Sequence, residues 1–234
     1  MTDQTAHENR TLIAFWDQAF ASAEEKQTQD PGPEDWKELA PSPKLYQAAC
    51  SLGQRKKVLD YGCGNAWAGI IAAKNGCRNV TAVDAAPGAA RAAQLNAARF
   101  GVADRVHTDC VSSEWLQGCP SGTYDGVFCS NVLDVIPPET AETVMQELAR
   151  VMTRNACAVV GLNYYLSPDA AAARGLDLTD GNRLYMNGVL RLVSRSDEEW
   201  AHIFSRWYCI GRVEHFAWPG EAAETRRLFF LRSK

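Results

Sequence analysis

From Lys57 onward the spacing of apolar and polar positions switches repeatedly between two periods. Short apolar runs at residues 58–60, 80–84, 105–108, 124–130 and 157–162 predict strands. Helical spacing fills the gaps. Residues 67–75 have a small-residue face and stop at Gly76. The next helix starts at Pro87, a favourable first position, and runs to about Phe100. In residues 138–152, Ala141, Val144, Met145, Leu148, Val151 and Met152 share one face. The run at 124–130 is apolar enough for a strand covered on both sides. Strands alternating with helices predict an α/β fold around a mainly parallel sheet with right-handed crossovers.

The flanks read differently. Residues 7–24 predict an amphipathic helix, because Leu12, Phe15, Trp16, Ala19, Phe20 and Ala23 recur at helical spacing. Asp30-Pro31-Gly32-Pro33 then breaks the chain, and a second helix is predicted from about 42 to 52. Residues 163–195 interrupt the strand–helix rhythm. A short helix is predicted at 168–174, and Asn187-Gly188 between two apolar runs predicts a hairpin. Ser196 and Glu199 have capping-box spacing ahead of Trp200, Ile203 and Phe204. Two strands follow, at about 208–217 and 226–231, close enough to pair antiparallel.

Composition narrows the function classes. The chain has 234 residues, 46% of them apolar, and seven tryptophans, so one large domain with a sizeable core is expected. A formal charge of −4 and a pI of about 5.6 count against a nucleic-acid partner, which usually meets a basic face. No apolar run reaches membrane-spanning length, and the polar start lacks a signal-peptide layout, so a cytoplasmic protein is expected. The eight cysteines form no C-x-x-C pair, so they read as small core residues rather than disulfides or a metal site.

The chemistry gathers at strand ends. In the segment 58–67, Gly62 and Gly64 stand where the first strand turns into the first helix. Without Cβ atoms the backbone can turn tightly and admit a ligand, and the helix start offers free N–H groups to an anionic group. Asp84, with Ala85 after it, ends the second strand, where an acid can accept both hydroxyls of a ribose. Asp109, followed by Cys110, ends the third, where a carboxylate can accept from an adenine amino group. Such residues lie at the crevice where open α/β sheets bind ligands. A dinucleotide fingerprint needs a tiny residue at its sixth position, and Trp67 stands there, which counts against NAD or FAD.

In these residues the chain resembles the class I methyltransferase family. The family's D/E-x-G-x-G motif matches Asp60-Tyr61-Gly62-Cys63-Gly64, its ribose acid Asp84, its adenine acid Asp109, and its fourth motif residues 124–139. The resemblance covers roughly 42–162 and the terminal strand pair. It implies a Rossmann-like three-layer sandwich: a seven-stranded, mainly parallel sheet in the order 3-2-1-4-5-7-6, with strand 7 reversed. It implies S-adenosylmethionine as cofactor and S-adenosylhomocysteine as product. Gly62 and Gly64 would line the methionine part, Asp60 would orient the loop or the amino group, and Ser130 and Asn131 would face the methionine end and the substrate. The expected organisation is a helical cover at 1–53, a cofactor-binding core at 54–162, a lid or substrate insertion at 163–195, and a terminal helix and strand pair at 196–234.

Methyl transfer from a sulfonium needs alignment and desolvation, and a base only for a nucleophile of high pKa. Candidate bases are Asp134, Tyr164 and Tyr165, with His107 and His202 behind them; Asp134 could instead cap the helix after it. His107 is expected to face a helix. Arg191 and Arg183 flank the hairpin turn and could hold a substrate anion, and the stripe with Trp16 could cover the site. The aromatic tail, Trp218 included, reads as core. The expected function is methylation of a small molecule by direct displacement. A protein or RNA methyltransferase, a NAD-type oxidoreductase and a binding module without transfer activity stand as alternatives.

Overall fold

The computed structural model describes residues 3–24, 35–112 and 114–234; the predicted break at 30–33 lies outside them. The first five sheet strands are β1 (Val58–Tyr61), β2 (Val80–Asp84), β3 (Val106–Cys110), β4 (Tyr124–Ser130) and β5 (Met152–Leu162). The hairpin strands are β6 (Arg183–Met186) and β7 (Val189–Val193), and the tail supplies β8 (Tyr208–Phe216) and β9 (Arg226–Ser233). The sheet runs β3-β2-β1-β4-β5-β9-β8, with β9 antiparallel to both neighbours. Counting sheet strands alone, this is the expected order with its reversed seventh strand.

Helices cover both faces. On one lie α2 (Pro43–Ser51), α3 (Trp67–Lys74) and α4 (Pro87–Arg99); on the other lie α5 (Trp115–Gly118), α6 (Pro138–Val151) and α8 (Asp197–Phe204). Strand side chains alternate between the layers. Val58, Phe128, Val159 and Leu228 join the first core, while Leu59, Val127, Val160 and Phe229 join the second. Both halves of every central strand are therefore buried, which explains their unbroken apolar runs. The capping box at Ser196 and Glu199 is formed in both directions. The short helix α7 (Pro168–Ala172) and the β6–β7 pair form a small unit with its own core of Leu166, Ala171, Leu184 and Leu192. Asn187 and Gly188 both have positive φ, as a tight hairpin turn requires.

Several element boundaries differ from expectation, among them α7, which ends at Ala172, and β9, which runs to Ser233. Strand β3 extends to Cys110, because its parallel ladder with β2 continues until Cys110 meets Asp84. Strand β5 starts at Met152, straight after α6, since Met152 pairs with Tyr124 before the register shifts to Cys157 opposite Gly126. The first helix, α1 (Asp3–Glu24), begins before residue 7. His107 is exposed on the edge strand and not packed on a helix. Of the cysteines, Cys63, Cys77 and Cys129 are buried, while Cys110 and Cys209 are exposed.

Candidate functional site

The loop after β1 is shaped by left-handed backbone. Gly62 has φ +65°, Gly64 +55° and Ala66 +60°. A Cβ on Gly62 would overlap Val132 Cγ2, and one on Gly64 would sit 3.0 Å from the Phe20 ring. Asp60, 3% exposed, accepts the Gly69 N–H at 2.8 Å and so ties β1 to α3. Burial pushes its carboxyl up to about 7; the Gly69 N–H opposes this and the nearby Asp84 charge adds to it. Trp67 fits at the helix start by meeting Phe128 edge-on, ring centroids 5.1 Å apart.

Asp84 stands at the end of β2. Its Oδ2 accepts the Gly64 N–H and its Oδ1 the Ala86 N–H, both at 2.9 Å. Burial raises its pKa, against the pull of those N–H groups. Just after β4, Asn131 has φ +56° and donates its N–H to the Gly161 carbonyl at 2.8 Å. A Cβ on Gly161 would overlap Ser130, so β5 can lie this close only as glycine.

These strand ends open into one cavity of about 550 Å³. Gly62, Gly64, Asp84, Ala85, Ser130 and Asn131 line it. At the third strand it touches Val111 and Ser112, just beyond Asp109 and Cys110. Asp109 is exposed, and the Cys110 thiol points back to the Ala85 carbonyl at 3.7 Å.

Helix α1 roofs the cavity with Leu12, Ile13, Trp16 and Phe20. Four contacts hold it down. Asp17 Oδ1 accepts the Gly88 N–H at 2.6 Å, and Asn9 donates to Thr140 Oγ1 at 3.0 Å. Tyr185 donates its hydroxyl to Glu8 at 2.9 Å. The Arg191 guanidinium lies 4.2 Å from the Phe15 ring centre and 5.7 Å from that of Trp16.

The other predicted residues lie elsewhere. Asp134 is fully buried outside the cavity wall and accepts the Asn163 N–H at 2.6 Å, which pins the chain where it leaves β5. Tyr164 packs on the small core beside α7, and Tyr165 is 46% exposed; neither lines the cavity. His202 is exposed. No described residue of 163–195 lines the cavity; the insertion touches its walls through α1, by Tyr185 and Arg191, and through Arg226, by Asn163. The sequence reading missed Leu39, Pro41, Leu45, Trp218 and Pro219, which line the far end. The only local signal was Trp218-Pro219-Gly220, a turn with an indole where no strand alternation calls for one.

The residues fit an adenosyl cofactor in two respects. Gly62, Gly64 and Asp84 line one cavity together, and Asn131 Oδ1 is buried without a hydrogen-bond partner among the described residues.

The family model of the methyltransferase domain matches residues 58–155. No curated protein sequence matches the chain. Among solved structures, the chain is similar to the Burkholderia thailandensis 1,6-didemethyltoxoflavin-N1-methyltransferase, bound to 1,6-didemethyltoxoflavin and S-adenosylhomocysteine. The identity is 17%, covering 97% of this chain and 90% of that one, with a TM-score of 0.69. It is similar to the N-methyltransferase NodS of Bradyrhizobium japonicum WM9 in complex with S-adenosylhomocysteine, at 15% identity, coverage of 93% and 98%, and a TM-score of 0.62. It is also similar to the [4+2]-cyclase SpnF, at 14% identity, coverage of 80% and 81%, and a TM-score of 0.58. The segment 58–155 therefore resembles the methyltransferase domain family, and the strand order is that of the Rossmann-like fold these solved structures share.

Proposed function

We propose that the protein is an S-adenosylmethionine-dependent methyltransferase that methylates a small-molecule acceptor by direct displacement. One observation carries this reading. One cavity is lined by the glycine loop, Asp84 and the apolar side chains of α1 that roof it. Small-molecule pockets span about 300–1,000 Å³, so about 550 Å³ suits a nucleoside cofactor with a small acceptor beside it.

In this reading Asp84 accepts from the ribose hydroxyls with the lone pairs its two backbone bonds leave free. Asp60 keeps the loop of Gly62 and Gly64 in shape, and the loop admits the methionine part. Ser130 and Asn131 face that part from the end of β4 and the residue after it. Val111 and Ser112, with Asp109 and Cys110 beneath them, border the adenine. S-adenosylmethionine, when bound, supplies a methyl group on a sulfonium already activated for displacement. The chain's own task is then alignment and exclusion of water, which the α1 roof serves. Among the described residues, no helix is long and apolar enough to cross a membrane; with the acidic charge, this supports a cytoplasmic enzyme that does not act on nucleic acid. Binding without methyl transfer is the second reading, favoured by the shared fold of the [4+2]-cyclase.

The test is calorimetric titration with S-adenosylmethionine and S-adenosylhomocysteine, followed by transfer of a labelled methyl group to fractionated cell extract. Label in the small-metabolite fraction supports the proposal. Label in protein or RNA moves the acceptor to a polymer. Binding without any transfer supports the second reading, and no binding to folded protein removes both.

A further inference from the structure

We infer that Trp218 is the acceptor-side wall of the cavity, held there by Arg226 and Glu221, and that it selects a flat, uncharged aromatic acceptor. The inference rests on the methyltransferase reading above for the word acceptor, but its geometry stands alone.

The sheet order sets two ends. Asp84, Ala85 and Val111 mark the end over β2 and β3. Trp218 belongs to the link between β8 and β9, at the opposite side of the sheet, beyond β5. A cofactor held by Gly64 and Asp84 therefore leaves the Trp218 end for its partner.

Trp218 is fixed from several directions. Its backbone N–H donates to Glu221 Oε2 at 2.8 Å, and its carbonyl accepts the Glu221 N–H at 3.0 Å, while the buried indole N–H has no partner among the described residues. Glu221 takes the Arg226 guanidinium through Nε at 2.9 Å and Nη2 at 2.6 Å. That guanidinium lies 3.8 Å from the Trp218 ring centre, with its Nη1 donating to Asn163 Oδ1. Lys44 anchors the link to α2, donating to the His215 carbonyl and pairing with Glu224, each at 2.7 Å. So many partners on one exposed link exceed what closing a hairpin requires. They hold an indole still, and a still aromatic face is what stacking on another ring needs.

The charge at this end follows. Arg226 is 7% exposed, stacked on the ring and neutralised by Glu221, so its charge is not offered to a ligand. Leu39, Pro41 and Leu45 complete the wall. An acceptor carboxylate or phosphate would lose its water there without a cation in exchange. A neutral ring would gain contact on its whole face.

The experiment uses the protein saturated with S-adenosylhomocysteine and two probes, neutral quinoline and anionic 2-naphthoate, followed by saturation-transfer NMR and calorimetry. Quinoline should bind in preference to naphthoate. Trp218→Ala should weaken quinoline about tenfold while Trp218→Phe retains most of the affinity, as loss and retention of a stacking face predict. Affinity for S-adenosylhomocysteine should hold in both variants. The inference is overturned if Trp218→Ala binds quinoline like wild type, if naphthoate binds as well as quinoline, or if Trp218→Ala loses S-adenosylhomocysteine and quinoline together. If wild type binds no S-adenosylhomocysteine, the methyltransferase reading fails by itself. The quinoline series on the free protein then decides the wall alone.

Discussion

Asp84 holds the Gly64 N–H at 2.9 Å, so the acid ending one strand sets the glycine loop that ends its neighbour. The same carboxylate therefore holds backbone on two sides and also lines the cavity. Asp84→Ala should lower stability by about 1–3 kcal/mol, the usual effect of freeing a buried donor. It should also abolish calorimetric binding of S-adenosylhomocysteine. Asp84→Asn keeps an acceptor oxygen and should recover most of the melting temperature without recovering the affinity. Full recovery of both would show that the charge does not serve the ligand.

Gly62 and Val132 press together across the loop. Gly62→Ala meets both that overlap and a left-handed backbone. It should destabilise by roughly 2–4 kcal/mol, combining overpacking with the conformational penalty. Adding Val132→Ala should return the steric part and leave about 1–2 kcal/mol, the cost of the positive φ alone. Urea unfolding of the two single variants and the double variant measures the cycle.

Arg191 should act as a latch on the roof and not as a substrate anchor. Cation–π contacts contribute about 0.5–2 kcal/mol, so Arg191→Ala should speed amide exchange in α1 by roughly 2- to 30-fold. The core strands β1 and β4 should keep their protection. Dissociation of S-adenosylhomocysteine should quicken with little change in the chemistry of transfer. Unchanged exchange in α1 would show that Asp17, Asn9 and Glu8 suffice to hold the helix.

Asp60 gives a pH dependence with a definite sign. Its folded pKa, about 7, lies above the ordinary 3.8, so the native state holds a proton that the unfolded chain releases. The stability this group contributes is full below about pH 4 and is lost as pH rises through 7. Asp60→Asn imitates the protonated form. Its stability relative to wild type should improve between pH 5 and 8, by an amount on the order of 1–3 kcal/mol. A difference that stays flat across that range would place the Asp60 pKa near its ordinary value.

Much of the architecture was legible because it rests on local rules. Strands buried on both faces must be apolar throughout, and helices packed on one side must be apolar in a stripe. The Asn187-Gly188 turn and the Ser196–Glu199 cap follow from backbone chemistry within a few residues. Errors fell where a neighbouring strand decides. Strand β3 runs on to Cys110 because β2 lies beside it, and no property of Asp109 announces that. Strand β5 begins at Met152 because Tyr124 is there to pair with it.

The chain order of acids and glycines at strand ends was enough to name Gly62, Gly64 and Asp84 as neighbours, since a parallel sheet brings successive strand ends together. The same logic misjudged which residues face the cavity. Asp134 follows β4 just as Asn131 does, yet its carboxylate turns to the Asn163 N–H and is buried away from the cavity. Arg191 points to a ring on α1, and Trp218 arrives from a link far along the chain. Sequence by itself determined the fold and the meeting of Gly62, Gly64 and Asp84 at the strand ends, because period and turn chemistry act over short distances. Only the tertiary structure decided the roof, the latch and the far wall, because these depend on side chains from distant segments meeting in one place.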